Sequence, residues 1–223
     1  MIQRVLTVGL VAGLAAGLAI AALQHMTTTP LILAAEVFEA AQQGHGGAAD
    51  AAEPAGDLAR TATTGLAAVG VSIGYALILL AAMLVCGERI APRRAALWGA
   101  CAFAATGLAT GLGLAPQLPG AAETDLAGRQ IWWLATACLT AAGLFALLRV
   151  GGLAAKLAGA LALAAPHLYG APQPAAPEST VPAELAARFA ASSISVQALS
   201  WILAGALVGC VWRLLGERDD AAP

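Results

Sequence analysis

The chain has 223 residues, of which 60% are hydrophobic and 11% charged, with a formal net charge of −2 at pH 7. A soluble domain carries about 25% charged residues, so this chain cannot clothe a globule in polar surface. Its charge offers no bulk attraction to nucleic acid. Its one lysine, Lys156, precedes Leu157 and not the Ser or Thr of a phosphate-binding loop, so ATP binding by that route is excluded.

Six apolar segments follow in chain order: Val5–Leu23, Thr64–Cys86, Ala95–Leu114, Ile131–Leu148, Leu153–Leu168 and Ile194–Leu214. A helix needs about 20 apolar residues to cross a bilayer core of about 30 Å. The fifth segment is the shortest and carries Lys156 near one end. Backbone groups in lipid must be paired internally, and the alternation of barrel strands is absent. These features predict an all-α, polytopic helix bundle, one integral membrane domain over residues 1–223. The first segment is too long for the 7–15-residue core of a signal peptide, so it reads as a retained span.

With both termini cytoplasmic, the inner segments hold Arg4, Arg89, Arg93, Arg94, Arg149, Lys156, Arg213 and Arg218. The outer ones hold only Arg60, Arg129 and Arg188. That asymmetry satisfies the positive-inside rule. All three histidines and most acids then fall outside.

Small residues pack membrane helices against each other. The first span carries Gly9, Gly13 and Gly17 on one face; Gly70/Gly74, Gly107/Gly111 and Gly205/Gly209 repeat the spacing. Such faces also suit a homo-oligomer. Trp98, Trp132, Trp133 and Trp212 lie near span ends, as belt anchors do. Tyr75 lies deeper and needs a hydroxyl partner. In the last span Ser193, Gln197 and Ser200 share a face, which fits a polar path or interhelical bonding equally. That helix extends back to Pro182, a favoured first-turn residue, with Thr180 near its cap.

Residues 24–60 read as an external loop. Within it, Thr29–Pro30 starts a short surface helix near 30–42, where Glu36 and Glu39 share a face. The Gly- and Ala-rich stretch around His45 reads as loop. A second, Pro-rich external loop covers 170–182. "APQLPG" (115–120) and "APHLYG" (165–170) share one pattern and read as paired turns flanking one external opening. The four cysteines sit in apolar runs without a Cys-x-x-Cys and read as small hydrophobes. No nucleophile–base pair marks an enzyme.

"PLILAAEVFE", "LPG…TDLAGRQIWW", "APHLYGAPQP" and "STVPAELAARFAASSISVQALSW" resemble the CbtA family of probable cobalt transporter subunits, from the first span through the last. The resemblance implies a bacterial inner-membrane protein acting with a small histidine-bearing subunit, CbtB, in connection with cobalamin synthesis. Family-like polar positions are Glu36, Glu39, Asp125, Arg129, Gln130, Pro166, His167, Gly170, Pro172, Pro182, Glu184 and Gln197. An acid at 117 and a histidine at 173 are also implied; this chain has Gln117 and Gln173 there.

Cobalt(II) accepts imidazole and carboxylate ligands. The external candidates are His25, Glu36, Glu39 and His167, with Asp125 beside them. Cobalt(II) would be cargo, and no permanently bound cofactor is expected. No carboxylate sits at mid-membrane, where such groups mark ion pathways. Thr106, Thr110, Thr136, Thr140 and Gln197 are the polar groups on offer there. This favours a subunit completed by a CbtB-like partner. The alternative is a non-transporting scaffold or assembly factor, for which the glycine faces suffice.

Overall fold

A computed structural model describes residues 1–42, 54–121, 125–174, 179 and 181–221. The expected loop around His45 and the cap residue Thr180 lie outside the described residues, as does the side chain of Glu39. The elements are α1 (Ile2–Gln42), α2 (Pro54–Val85), α3 (Pro92–Phe103), a π-turn (Ala104–Leu108), α4 (Ala109–Gly113), α5 (Leu126–Arg149), α6 (Leu153–Tyr169) and α7 (Ala183–Ala221). No strand occurs among the described residues. Five helical stretches are long and apolar enough to cross a membrane: Ile2–Phe38, Ala59–Val85, Pro92–Gly113, Leu126–Arg149 and Ala183–Gly216. The shorter apolar helix α6, at 17 residues, extends roughly 25 Å.

The helix break expected after Leu23 does not occur. Helix α1 runs on through Pro30 to Gln42, so Glu36 and Glu39 sit on an extension of the first span. Proline removes one backbone donor and crowds the preceding turn. In membranes, Ser and Thr side chains help such helices continue. The Thr27 hydroxyl donates to Leu23 O at 2.7 Å and Thr28 to Gln24 O at 3.2 Å, and both bonds lie in the turn before Pro30.

The chain divides into two compact units where a single one is expected. Unit 1 comprises Met1–Pro30, His45–Ala100 and Ser195–Pro223; unit 2 comprises Leu31–Gly44 and Cys101–Ile194. The boundaries fall at Pro30, just ahead of the π-turn, and within α7.

In unit 1, α1 lies against α2. A Cβ at Gly13 or Gly17 would collide with the backbone of Ile73 or Val69, and one at Gly9 would strike the Leu77 side chain. The residue numbers run in opposite directions, so the pair is antiparallel. The start of α3 packs on α7 in the same manner: Gly205 meets Ala95, Gly209 meets Pro92, and Gly99 meets Trp201. Val8, Ala12, Ala76, Leu80 and Val208 form the buried core between these seams. The other side of α1 exposes Leu6, Leu10, Leu14 and Leu18, the apolar face that lipid tolerates. Gly70 and Gly74 meet nothing within 4 Å. Their spacing imitates a packing motif on the face of α2 turned away from α1.

In unit 2, α5 and α6 are antiparallel, with Gly143 and Gly159 stacked so that a Cβ on either would lie 2.8 Å from the other's carbonyl oxygen. Gly170 closes α6 at φ +92°, a conformation only glycine adopts readily. A second cluster joins Ala35 of α1, Leu118 and Val181, packed against by Ile32, Leu185 and Phe189.

Candidate functional site

The end of unit 2 where α5 begins and α6 finishes gathers most of the family-like polar residues. Trp132 organises it. Its indole Nε1 donates to Pro166 O at 3.3 Å, and its ring meets His167 edge-on at 6.1 Å between centroids. A Cβ on Gly113 would run into that indole and lie 2.9 Å from Ala171 Cβ. The end of α4 and the last turns of α6 therefore both abut one tryptophan, and Gly113 approaches Ala171 just past α6. The second Ala-Pro-x-Leu-x-Gly stretch is helical through Tyr169, with Pro166 inside α6; Gly170 alone makes the turn.

Asp125 caps α5. Its two carboxylate oxygens accept from Ala127 N at 3.1 Å and Gly128 N at 2.9 Å. This is the ordinary use of Asp at a helix start, and the cap leaves further lone pairs on both oxygens. Gly128 in turn borders Pro172, whose Cγ would lie 3.7 Å from an added Cβ. His167 is exposed on the last turn of α6. Glu36 is half-buried beside Ala35, which packs on Leu118 and Val181. Glu36, Asp125 and His167 thus belong to one end of one unit. Gln173 donates to Ala171 O at 3.2 Å, within its own loop.

His25 belongs to unit 1 and is exposed. It lies eleven residues before Glu36 on α1, a rise of roughly 16 Å, which is too far for both to ligate one ion. Among the described residues, no three His, Cys, Asp or Glu side chains come close enough to hold a metal ion. The four cysteines are free.

Deeper in the spans, the last-helix stripe is tied up in bonding. Tyr75 hydrogen-bonds the Gln197 side chain and stacks on Trp201 at 3.7 Å between centroids, 10° from parallel. Ser200 donates to Val196 O at 2.8 Å. Gln197 and Ser200 therefore bind helix to helix and turn to turn, while Ser193 is half-buried. Thr110, Thr136 and Thr140 are buried in unit 2. A bare ion placed among neutral hydroxyls in a low-dielectric interior would cost roughly tens of kcal/mol. Any ion crossing there must keep water around it.

Trp132 is expected as a belt anchor; in the structure it joins α6 to the end of α4. The Nε1 bond is long-range, and nothing local signals it. The π-turn likewise has no sequence signature beyond the nearby threonines.

Five helices long and apolar enough to cross a membrane define a multi-pass helical membrane protein. The family model described as "Probable cobalt transporter subunit (CbtA)" matches residues 2–213, and the chain belongs to that family. No curated protein matches it, and no solved structure does.

Proposed function

We propose that this chain is the membrane-embedded subunit of a cobalt(II) uptake system in the bacterial inner membrane. The positive-inside count assigns the polar end of unit 2 to the outside. The observation that carries the reading is the placement of Glu36, Asp125 and His167 on that one end, in a chain of the cobalt-transporter family. These residues capture the cation loosely, together with Glu39 of α1. A small CbtB-like subunit supplies the missing imidazole ligands. The family's description as a transporter subunit supports that division of labour.

The test is uptake of labelled cobalt in cells lacking other cobalt importers, with this chain alone, its partner alone, and both. Uptake is expected only with both. No uptake under any condition would sink the transport reading and leave the scaffold, for which the glycine seams of unit 1 are sufficient.

A further inference from the structure

Buried hydroxyls in these helices mostly bond to their own helix. Thr28 donates to Gln24 O, Thr110 to Thr106 O at 2.8 Å, and Ser200 to Val196 O. Thr136 and Thr140 break the pattern. Both side chains are buried, at 0% and 3% exposure, and neither hydroxyl has a protein hydrogen-bond partner. They stand four residues apart, so they share a face of α5.

That face also carries Trp132 and Gly143. Trp132 closes one end against Gly113 and Pro166; Gly143 closes the other against Gly159. Helix α5 as a whole packs on α6, on the π-turn and on α4. A π-turn widens the helix locally and frees backbone groups from the usual ladder; such turns occur often at functional sites. The third span satisfies part of this itself, since Thr106 donates to Ala102 O at 2.8 Å and Thr110 also reaches Gly107 O at 3.4 Å. Thr136 and Thr140 have no such outlet.

Buried polar groups in folded proteins are paired with protein or with ordered water, and water is retained where polar partners converge. In membranes, irregular helix turns are served by Ser and Thr side chains and by internal water. We infer that Thr136 and Thr140 of α5 form an internal water site in the interior of unit 2. Its ligand is water, bound by the two hydroxyls. Neutral hydroxyls without a carboxylate select water over a bare cation. The site goes beyond the uptake reading and does not depend on it; were cobalt to cross unit 2, this water would provide a hydrated step.

The test uses the full chain in lipid bilayers, with threonine and valine labelled, and water-edited solid-state NMR. Thr136 and Thr140 are expected to receive water magnetisation at least about threefold faster than Val8, which is apolar, or Thr28, whose hydroxyl is bonded to Gln24 O. Rates equal to those of Val8 overturn the inference. Thr136→Val, isosteric but without the hydroxyl, should slow transfer to Thr140, and Thr136→Ser should restore it; unchanged transfer in the valine variant also overturns it. The wild-type rates decide the matter even if a variant does not fold. Transport is not read, so failed cobalt uptake with fast transfer at Thr136 would remove the proposed function and leave the water site standing.

Discussion

Arg4 and Trp212 clasp the two ends of the chain. The Arg4 guanidinium donates to Trp212 O at 2.8 Å and lies over the Trp212 indole, 4.3 Å from its centroid. Gly216 leaves room for it: a Cβ there would lie 2.7 Å from Arg4 Nη2. A charged hydrogen bond contributes about 1.5–3 kcal/mol and a cation–π contact about 0.5–2 kcal/mol. Arg4→Ala is expected to lower unfolding stability by about 2–3 kcal/mol, read from tryptophan fluorescence in detergent titrations. Arg4→Lys should fall between the two, because lysine keeps the charge and loses the planar stack.

The glycine seam of unit 1 gives a paired prediction. Gly13→Val forces a side chain into the Ile73 backbone and should abolish the monodisperse folded species in size-exclusion chromatography. Gly74→Ala meets open space and gains up to about 1 kcal/mol of helix propensity. It should raise or leave unchanged the thermal midpoint. Equal damage from both would contradict the assigned packing face.

Asp125 separates capping from cation capture. Asp125→Ala removes the acceptors of Ala127 N and Gly128 N and should cost about 1 kcal/mol of stability. Asp125→Asn keeps one of the two capping oxygens and should cost less stability than the alanine variant. It removes the charge, so cobalt uptake at limiting metal should fall. An asparagine variant with normal uptake would assign Asp125 to capping alone.

His167→Ala and Glu36→Gln should raise the KM for cobalt uptake by about tenfold, the lower end for loss of a metal-supporting group. The maximal rate should stay near wild type, because neither residue lies in the spans' interior. A fall in maximal rate at unchanged KM would place them outside cation capture.

Tyr75 and Gln197 are expected to couple. A double-mutant cycle with Tyr75→Phe and Gln197→Leu should give about 0.6 kcal/mol, typical of polar pairs between membrane helices. A coupling of zero would mean that the bond contributes nothing to stability.

Much of this architecture was legible in the residues. Five of the six expected segments coincide with helices long enough to cross a membrane, and the doubtful fifth is the short α6. Tyr75 required a hydroxyl partner and has one in Gln197. Gly9, Gly13 and Gly17 spaced on one face meet α2, whereas the identical spacing at Gly70 and Gly74 meets nothing. Spacing defines a face but not the neighbour, which depends on tertiary arrangement. Thr29–Pro30 misled for a related reason. Proline rules learned in water place it at a helix start, while threonine back-bonding in an apolar setting lets α1 pass through it. Trp132 was legible only as a residue near a span end. Its bond to Pro166 O joins residues 34 apart, which no local pattern encodes.

Unit 1 has a consequence for biogenesis. Its strands of chain come from the first 30 residues and from the last 29, with 45–100 between. Arg4 waits for Trp212, 208 positions later, and the faces of Pro92 and Ala95 wait for Gly209 and Gly205. At roughly 5–20 residues per second of synthesis, the early helices spend on the order of 10–40 s in the membrane before their last neighbour is inserted. Through that interval the α1–α2 hairpin must hold by itself, through its three glycines and the cluster of Val8, Ala12, Ala76 and Leu80. Truncation before α7 would leave the nascent protein permanently in that half-assembled form, a natural substrate for membrane quality control.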